Sequence, residues 1–332
     1  MNVETFNYSF ESLAPFFYLN KRNKKNLYVF STEREALEFY NNFSNFVPES
    51  SHFPAWDTLS YDSFTPSLEI QGKRLQTLHN ILVNDSFDVV MSMKSFTQKI
   101  FINDLDVIDL QVSQDVDFEN LIENLTYLGY VNKDRVESRG TFSIRGGQID
   151  IYPLNSEYPV RILFNGDEVA ELKLFDYISQ RSIKNIQKVL ITPSSELFQT
   201  NQEDIYKSLE IESKKDLDEY ELFQFSQNLE NFKTLLDFAP DKLSINIIDF
   251  NVCKETFSEI QKTEEDSFNN LQKFFSLNIS KMKSRYVDTF TEINKYETTF
   301  YATNDLENIS NVPQFLNGLS ADNVLQKINN LV

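Results

Sequence analysis

Glycine is rationed along this 332-residue chain: there are seven, none before Gly72, and five (Gly129, Gly140, Gly146, Gly147, Gly166) fall within thirty-eight consecutive positions. A loop that wraps a phosphate needs successive unobstructed backbone N–H groups, followed by Lys and Ser or Thr. Neither G-K-[ST] nor G-x-G-x-x-G occurs anywhere. Within "TFSIRGGQIDIYP" (141–153), Phe142 and Ile144 precede the glycine pair and Ile149 and Ile151 follow it, alternating with polar residues. That period of two marks half-buried strands. Gly146 and Gly147 are therefore expected to supply positive φ for a tight hairpin, which ends before Pro153.

The segments around this region follow a different pattern. "NLYVFS" (26–31) has the length of a buried strand, and Thr32 and Glu35 stand in capping-box spacing. Ala36, Phe39, Tyr40 and Phe43 then recur at helical intervals. A second helical stretch places Leu75, Leu78 and Leu82 on one face and leads to the run "DVVMSM" (88–93). Strand–helix–strand alternation predicts a parallel sheet. From about residue 112 the expectation is one helix (Phe118, Leu121, Ile122, Leu125, Leu128, capped by Gly129), then strands at 140–144, 148–152, 159–164, 168–175 and 186–192. Beyond Pro193, a stripe of Leu222, Phe225, Leu229, Phe232 and Leu236 predicts a helix. "LSINIIDF" (243–250) predicts a strand, and Phe257 to Phe275 a further helix.

Charge divides the chain in the same places. The net charge is −19, yet residues 112–193 hold 12 acidic and 9 basic side chains, net −3, leaving −16 for the rest. So acidic a chain disfavours autonomous DNA binding, which needs clustered Lys and Arg. No apolar run approaches the length of a membrane span, and no secretory signal is visible at the start. Cys253 is the single thiol, which excludes an internal disulfide and suits a reducing cytoplasm. With only His52 and His79 beside it, no metal site is expected. Cys253 reads as a small buried hydrophobe, His79 as a surface or packing residue, and Trp56 as a core or inter-domain aromatic. No arrangement of nucleophile, acid or base stands out, so a non-enzyme without cofactor is expected.

"GYVNKDRVESRGTFSIRGGQIDIYP" and "YPVRILFNGDEVAELKLFDYISQRS" carry a recognisable pattern. Its positions are Gly129-Tyr130, Arg145-Gly146, Asp150, Tyr152-Pro153, Arg161, Phe164, Asp167-Glu168, Leu172, Phe175-Asp176 and Gln180-Arg181. In this pattern the chain resembles the second domain of the bacterial transcription-repair coupling factors, shared in outline with the excision-repair helicase UvrB. Tyr152 stands where that family usually has Phe. "FPAWDTLSYDSFTPSLEIQGKRLQTLHNI" is similar to the first domain of the same family. UvrB itself carries a P-loop and a tyrosine-rich DNA-probing hairpin, neither of which this sequence accommodates.

The resemblance implies an α/β chain with a degenerate RecA-like (P-loop NTPase-type) parallel-sheet domain and an inserted small α+β domain. Residues 1–111 would be the first part (UvrB domain 1a-like), 112–193 the UvrA-binding type (domain 2-like), and 194–332 the second part (domain 1b-like). It further implies recruitment of UvrA in nucleotide excision repair. Arg161 and Arg181 are expected as charged anchors, Lys173 as support and Phe175 as an apolar contact, because guanidinium groups pair bidentately with carboxylates. RNA polymerase and DNA would be reached only through further domains. The chain is then either part of a longer coupling factor or a free-standing short form. The alternative is a UvrB-like protein acting directly on damaged DNA.

Overall fold

Thr32 begins the first long helix as its spacing predicts. Its hydroxyl accepts from the Glu35 N–H, and the Glu35 carboxylate accepts from the Thr32 N–H, closing a capping box. The computed structural model describes residues 2–6, 13–19, 23–59, 64–102, 105–198, 202–209, 223, 225–227, 229–239, 243–271 and 284–303. The first elements are β1 (Asn2–Phe6), α1 (Leu13–Leu19), β2 (Lys25–Phe30), α2 (Glu33–Phe43), β3 (Ser51–Phe53), α3 (Leu68–Val83), β4 (Phe87–Ser92) and α4 (Met93–Thr97). After an excursion through a second sheet come α6 (Gln202–Leu209), α7 (Leu235–Phe238), β13 (Ser244–Ile248), α8 (Phe250–Leu271), a 3-10 turn (Ile293–Lys295) and β14 (Glu297–Thr303).

Strands of these two stretches build one six-stranded, wholly parallel sheet in the order β1-β14-β13-β2-β4-β3. Both faces are covered, so the central strands are buried on both sides rather than alternating, and the buried polar side chains of Asn26, Asp88 and Asn246 are hydrogen-bonded within the sheet. Tyr28, Phe30, Val90 and Ile248 pack under α1 and α2, while Leu27, Val29, Val89, Met91 and Ile247 pack under α3, α4 and α8.

The excursion comprises β5 (Ile108–Gln111), α5 (Phe118–Tyr127), β6 (Val131–Asn132), β7 (Thr141–Ile144), β8 (Gln148–Ile151), β9 (Val160–Asn165), β10 (Glu168–Phe175), β11 (Ser182–Ile186) and β12 (Lys188–Ile191). β6 to β11 form the second sheet in sequence order, antiparallel except for β6 on β7. β5 and β12 pair with each other as the neck between the two sheets. Gly129, at φ +86°, ends α5: its N–H reaches the Thr126 carbonyl, and the Tyr130 N–H reaches that of Leu125, the double bond of a Schellman cap. Arg145 and Gln148 exchange both backbone hydrogen bonds around the glycine pair, so the hairpin forms. Only Gly146 lies in the left-handed region, at φ +59°; Gly147 does not, as in a type II′ turn.

Other expectations are corrected. The strand expected at 186–192 forms as β12 but pairs with β5 in the neck rather than with the second sheet, and a strand not expected from the sequence, β11, precedes it at the edge of that sheet. α8 begins at Phe250, not Phe257, and its expected end at Phe275 lies outside the described residues. Leu222 also lies outside them. The stripe through Leu229 and Phe232 is not helical there, because Lys233 and Ile100 exchange backbone hydrogen bonds; Leu229 and Phe232 instead pack around Trp56. Leu82 points outward, and Ile81 takes the core position. Cys253 is buried beneath β13, its thiol donating to the Ile248 carbonyl, and burial pushes its pKa up.

The seam between the sheets is polar and close. A Cβ at Gly72 would collide with the Leu154 carbonyl oxygen, so only glycine lets α3 approach the turn after β8. Two residues along α3, Arg74 is fully buried and its Nε meets Glu196 Oε1 at 2.7 Å. The same oxygen accepts from the Trp56 indole N–H at 2.8 Å, and Gln71 accepts from the Glu196 N–H. Asn155 reaches Gln76 at 2.7 Å. Trp56 is thus an inter-sheet residue, with the guanidinium groups of Arg74 and Arg285 against its ring.

Candidate partner-binding face

The second sheet has two unlike faces. On one, Phe142, Ile149, Ile151, Val160, Ile162, Val169 and Leu172 pack against Leu121, Leu125 and Leu128 of the helix side. On the other, strand register aligns Ser143, Asp150, Arg161, Lys173 and Asn185 in a row across five strands. Neighbours in such a row are close enough for direct side-chain contact.

Arg161 grips Asp150 bidentately, Nε to Oδ1 at 2.8 Å and Nη2 to Oδ2 at 2.9 Å. Asp150 is buried and also accepts from the Gln148 amide at 2.9 Å. The Arg161 guanidinium lies 4.7 Å above the Phe175 ring, and the bond to Asp150 raises its pKa further. One edge of the guanidinium is therefore committed within the sheet, while Nη1 faces the Gln180 carbonyl at 3.4 Å. Lys173 is one-quarter exposed and pairs with Glu171 at 2.7 Å. Arg181 is exposed, and its guanidinium makes no ion pair among the described residues.

Phe175 needs a correction. It is fully buried on a small cluster with Val136 and Tyr152, so it carries Arg161 from below and offers no surface to a partner. Tyr152, at its departure from the family pattern, satisfies its hydroxyl on the Glu157 carbonyl at 2.8 Å, and the Arg139 guanidinium lies 5.1 Å from its ring. Residues not expected at the site complete the face. Asp150 fixes Arg161; Arg135 donates to the carbonyls of Tyr177 and Ile178; Gln180 sits at φ +62°. Asp150 and Gln180 stand in the recognisable motif, whereas nothing in the sequence marks Arg135.

Similarity to known proteins covers this part of the chain. A family profile described as the UvrB interaction domain matches residues 108–197, which are β5 to β12 and the start of the seam. The chain is 31% identical over 170 residues to a transcription-repair-coupling factor of Mycobacterium tuberculosis, covering 48% of this chain and 14% of that protein. The namesake protein of Escherichia coli K12 is 28% identical over 168 residues (49% and 14%), and that of Staphylococcus aureus MRSA252 is 26% identical over 303 residues (81% and 25%). The chain thus spans a quarter or less of the length of these relatives. It is related to the bacterial transcription-repair coupling factors through a UvrB-like module, as its motifs imply.

Proposed function

We propose that this chain is a non-catalytic UvrB-like module that recruits UvrA, the damage-sensing ATPase of nucleotide excision repair, through the polar face of the second sheet. The observation that carries the reading is coincidence: the family match falls on the sheet that displays Arg161, Lys173 and the unpaired Arg181. Arg161 presents a pre-oriented guanidinium and Arg181 one that makes no ion pair among the described residues, which suits carboxylates on a partner.

The parallel sheet is read as a degenerate RecA-like domain. After β2, where a nucleotide-binding chain would place glycines, Ser31 and Thr32 enter α2 directly, and the Glu35 carboxylate occupies the helix N-terminus. A carboxylate at that position repels a phosphate from the site the helix end would otherwise offer. Contacts with RNA polymerase and DNA are assigned to the longer relatives' other segments. Titration calorimetry of the chain with UvrA tests the proposal. Micromolar or tighter binding is expected, weakened on the order of tenfold or more by Arg181→Glu. Absence of UvrA binding together with a steeply salt-dependent DNA affinity would replace it by direct DNA binding.

A further inference from the structure

We infer that the turn Asp176–Arg181 is a preformed knob whose tip, Ile178, seats in an apolar pocket rimmed by carboxylates on UvrA; the inference rests on the reading above and names the chemistry of the contact.

Ile178 is 70% exposed, Tyr177 38% and Ile183 51%, so one turn and the strand after it hold three large apolar side chains in water. An isolated exposed Leu or Ile needs no explanation, but two adjacent apolar side chains held out by one rigid turn, with a third on the strand that follows, do. The rigidity is overdetermined. The Asp176 carboxylate accepts from the Ser179 N–H at 2.7 Å, the Gln180 N–H reaches the Asp176 carbonyl at 2.7 Å, and the Asp176 N–H reaches that of Arg181 at 3.0 Å. From outside the turn, Arg135 Nη2 clamps the Ile178 carbonyl at 2.6 Å, and the Gln180 amide binds the Tyr177 and Val136 carbonyls. Ile178 is held outward on a backbone whose ordering cost is already met by folding, which is what preorganises a binding anchor.

Charge selects the partner. Two cations flank the tip, Arg135 on the Ile178 carbonyl and Arg181 at the end of the turn, and the turn itself holds one carboxylate, Asp176, in a chain of net charge −19. That carboxylate is engaged within the turn. An apolar anchor flanked by cations fits a pocket with an acidic rim, the buried-centre, polar-rim arrangement of interaction hot spots. A second copy of the same turn would set cation against cation.

The test is calorimetry with UvrA using Ile178→Asp, Ile178→Val and, as a control, Phe64→Ser, whose side chain is equally exposed but lies on the other half of the molecule. Ile178→Asp is expected to weaken binding on the order of tenfold or more, while Ile178→Val stays within about threefold. Phe64→Ser should match the parent, and all three should unfold at the parent temperature. If Ile178→Asp binds within about twofold of the parent while Arg181→Glu is impaired, the knob is overturned and the UvrA reading stands. If the parent does not bind UvrA, both fall. Self-association of the parent that Ile178→Asp abolishes would assign the knob to a second copy and overturn the inference as well.

Discussion

The two sheets bury their strands by opposite rules. In the parallel sheet β4 and β13 are buried at every position, with helices on both faces. In the antiparallel sheet β9 alternates, and β11 has no buried residue at all. A strand covered on both sides has no side chain to show a partner, whereas a half-covered strand offers every second one. The first sheet is therefore a support and the second a display, and the seam of Gly72, Arg74 and Glu196 fixes one to the other.

If that division is right, stability and binding should respond to different residues. The largest loss of stability is expected at the seam. Glu196→Ala leaves the Arg74 guanidinium buried without its partner and removes the acceptor of the Trp56 indole. Such a break costs about 3–5 kcal/mol, read as a lowered denaturation midpoint. Gly72→Ala forces a Cβ against the Leu154 carbonyl and should cost about 1–3 kcal/mol through overpacking. A further step down, Asp150→Asn weakens the bidentate pair under the display face, at about 1.5–3 kcal/mol, and should also disorient Arg161. Arg161→Glu is a poorer probe of binding, because it sets a second carboxylate against buried Asp150. The smallest stability effect belongs to Arg181→Glu, within about 0.5 kcal/mol for an exposed, unpaired side chain. An Arg181 variant that unfolds like Glu196→Ala would break the distinction between support and display.

What the sequence reveals about this division depends on range. The capping box of Thr32 and Glu35, the Gly129 cap and the Gly146 turn follow from residues within a few positions, and all form. Long-range coverage is another matter. Phe175 and Lys173 share a face by their spacing, but Val136, from a loop some forty residues earlier, buries one and leaves the other partly open. β11 escapes notice because an edge strand exposed throughout has no alternation to detect. The stripe through Leu229 and Phe232 has a helical period by coincidence, since both side chains pack on the cluster of Trp56, Phe101, Leu197 and Phe223 from irregular backbone. At the site, the motif locates Arg161 and Arg181, but only strand register discloses that Asp150 already holds the first.

The central claim is that the second sheet is the face UvrA meets, and hydrogen–deuterium exchange on the chain with and without UvrA tests it most directly. Protection is predicted across β9 to β11 and the turn at Asp176–Arg181, with the amides of β4 and β13 unchanged. Protection confined to the parallel sheet or its helices, with β9 to β11 exchanging as in the free chain, would contradict the account.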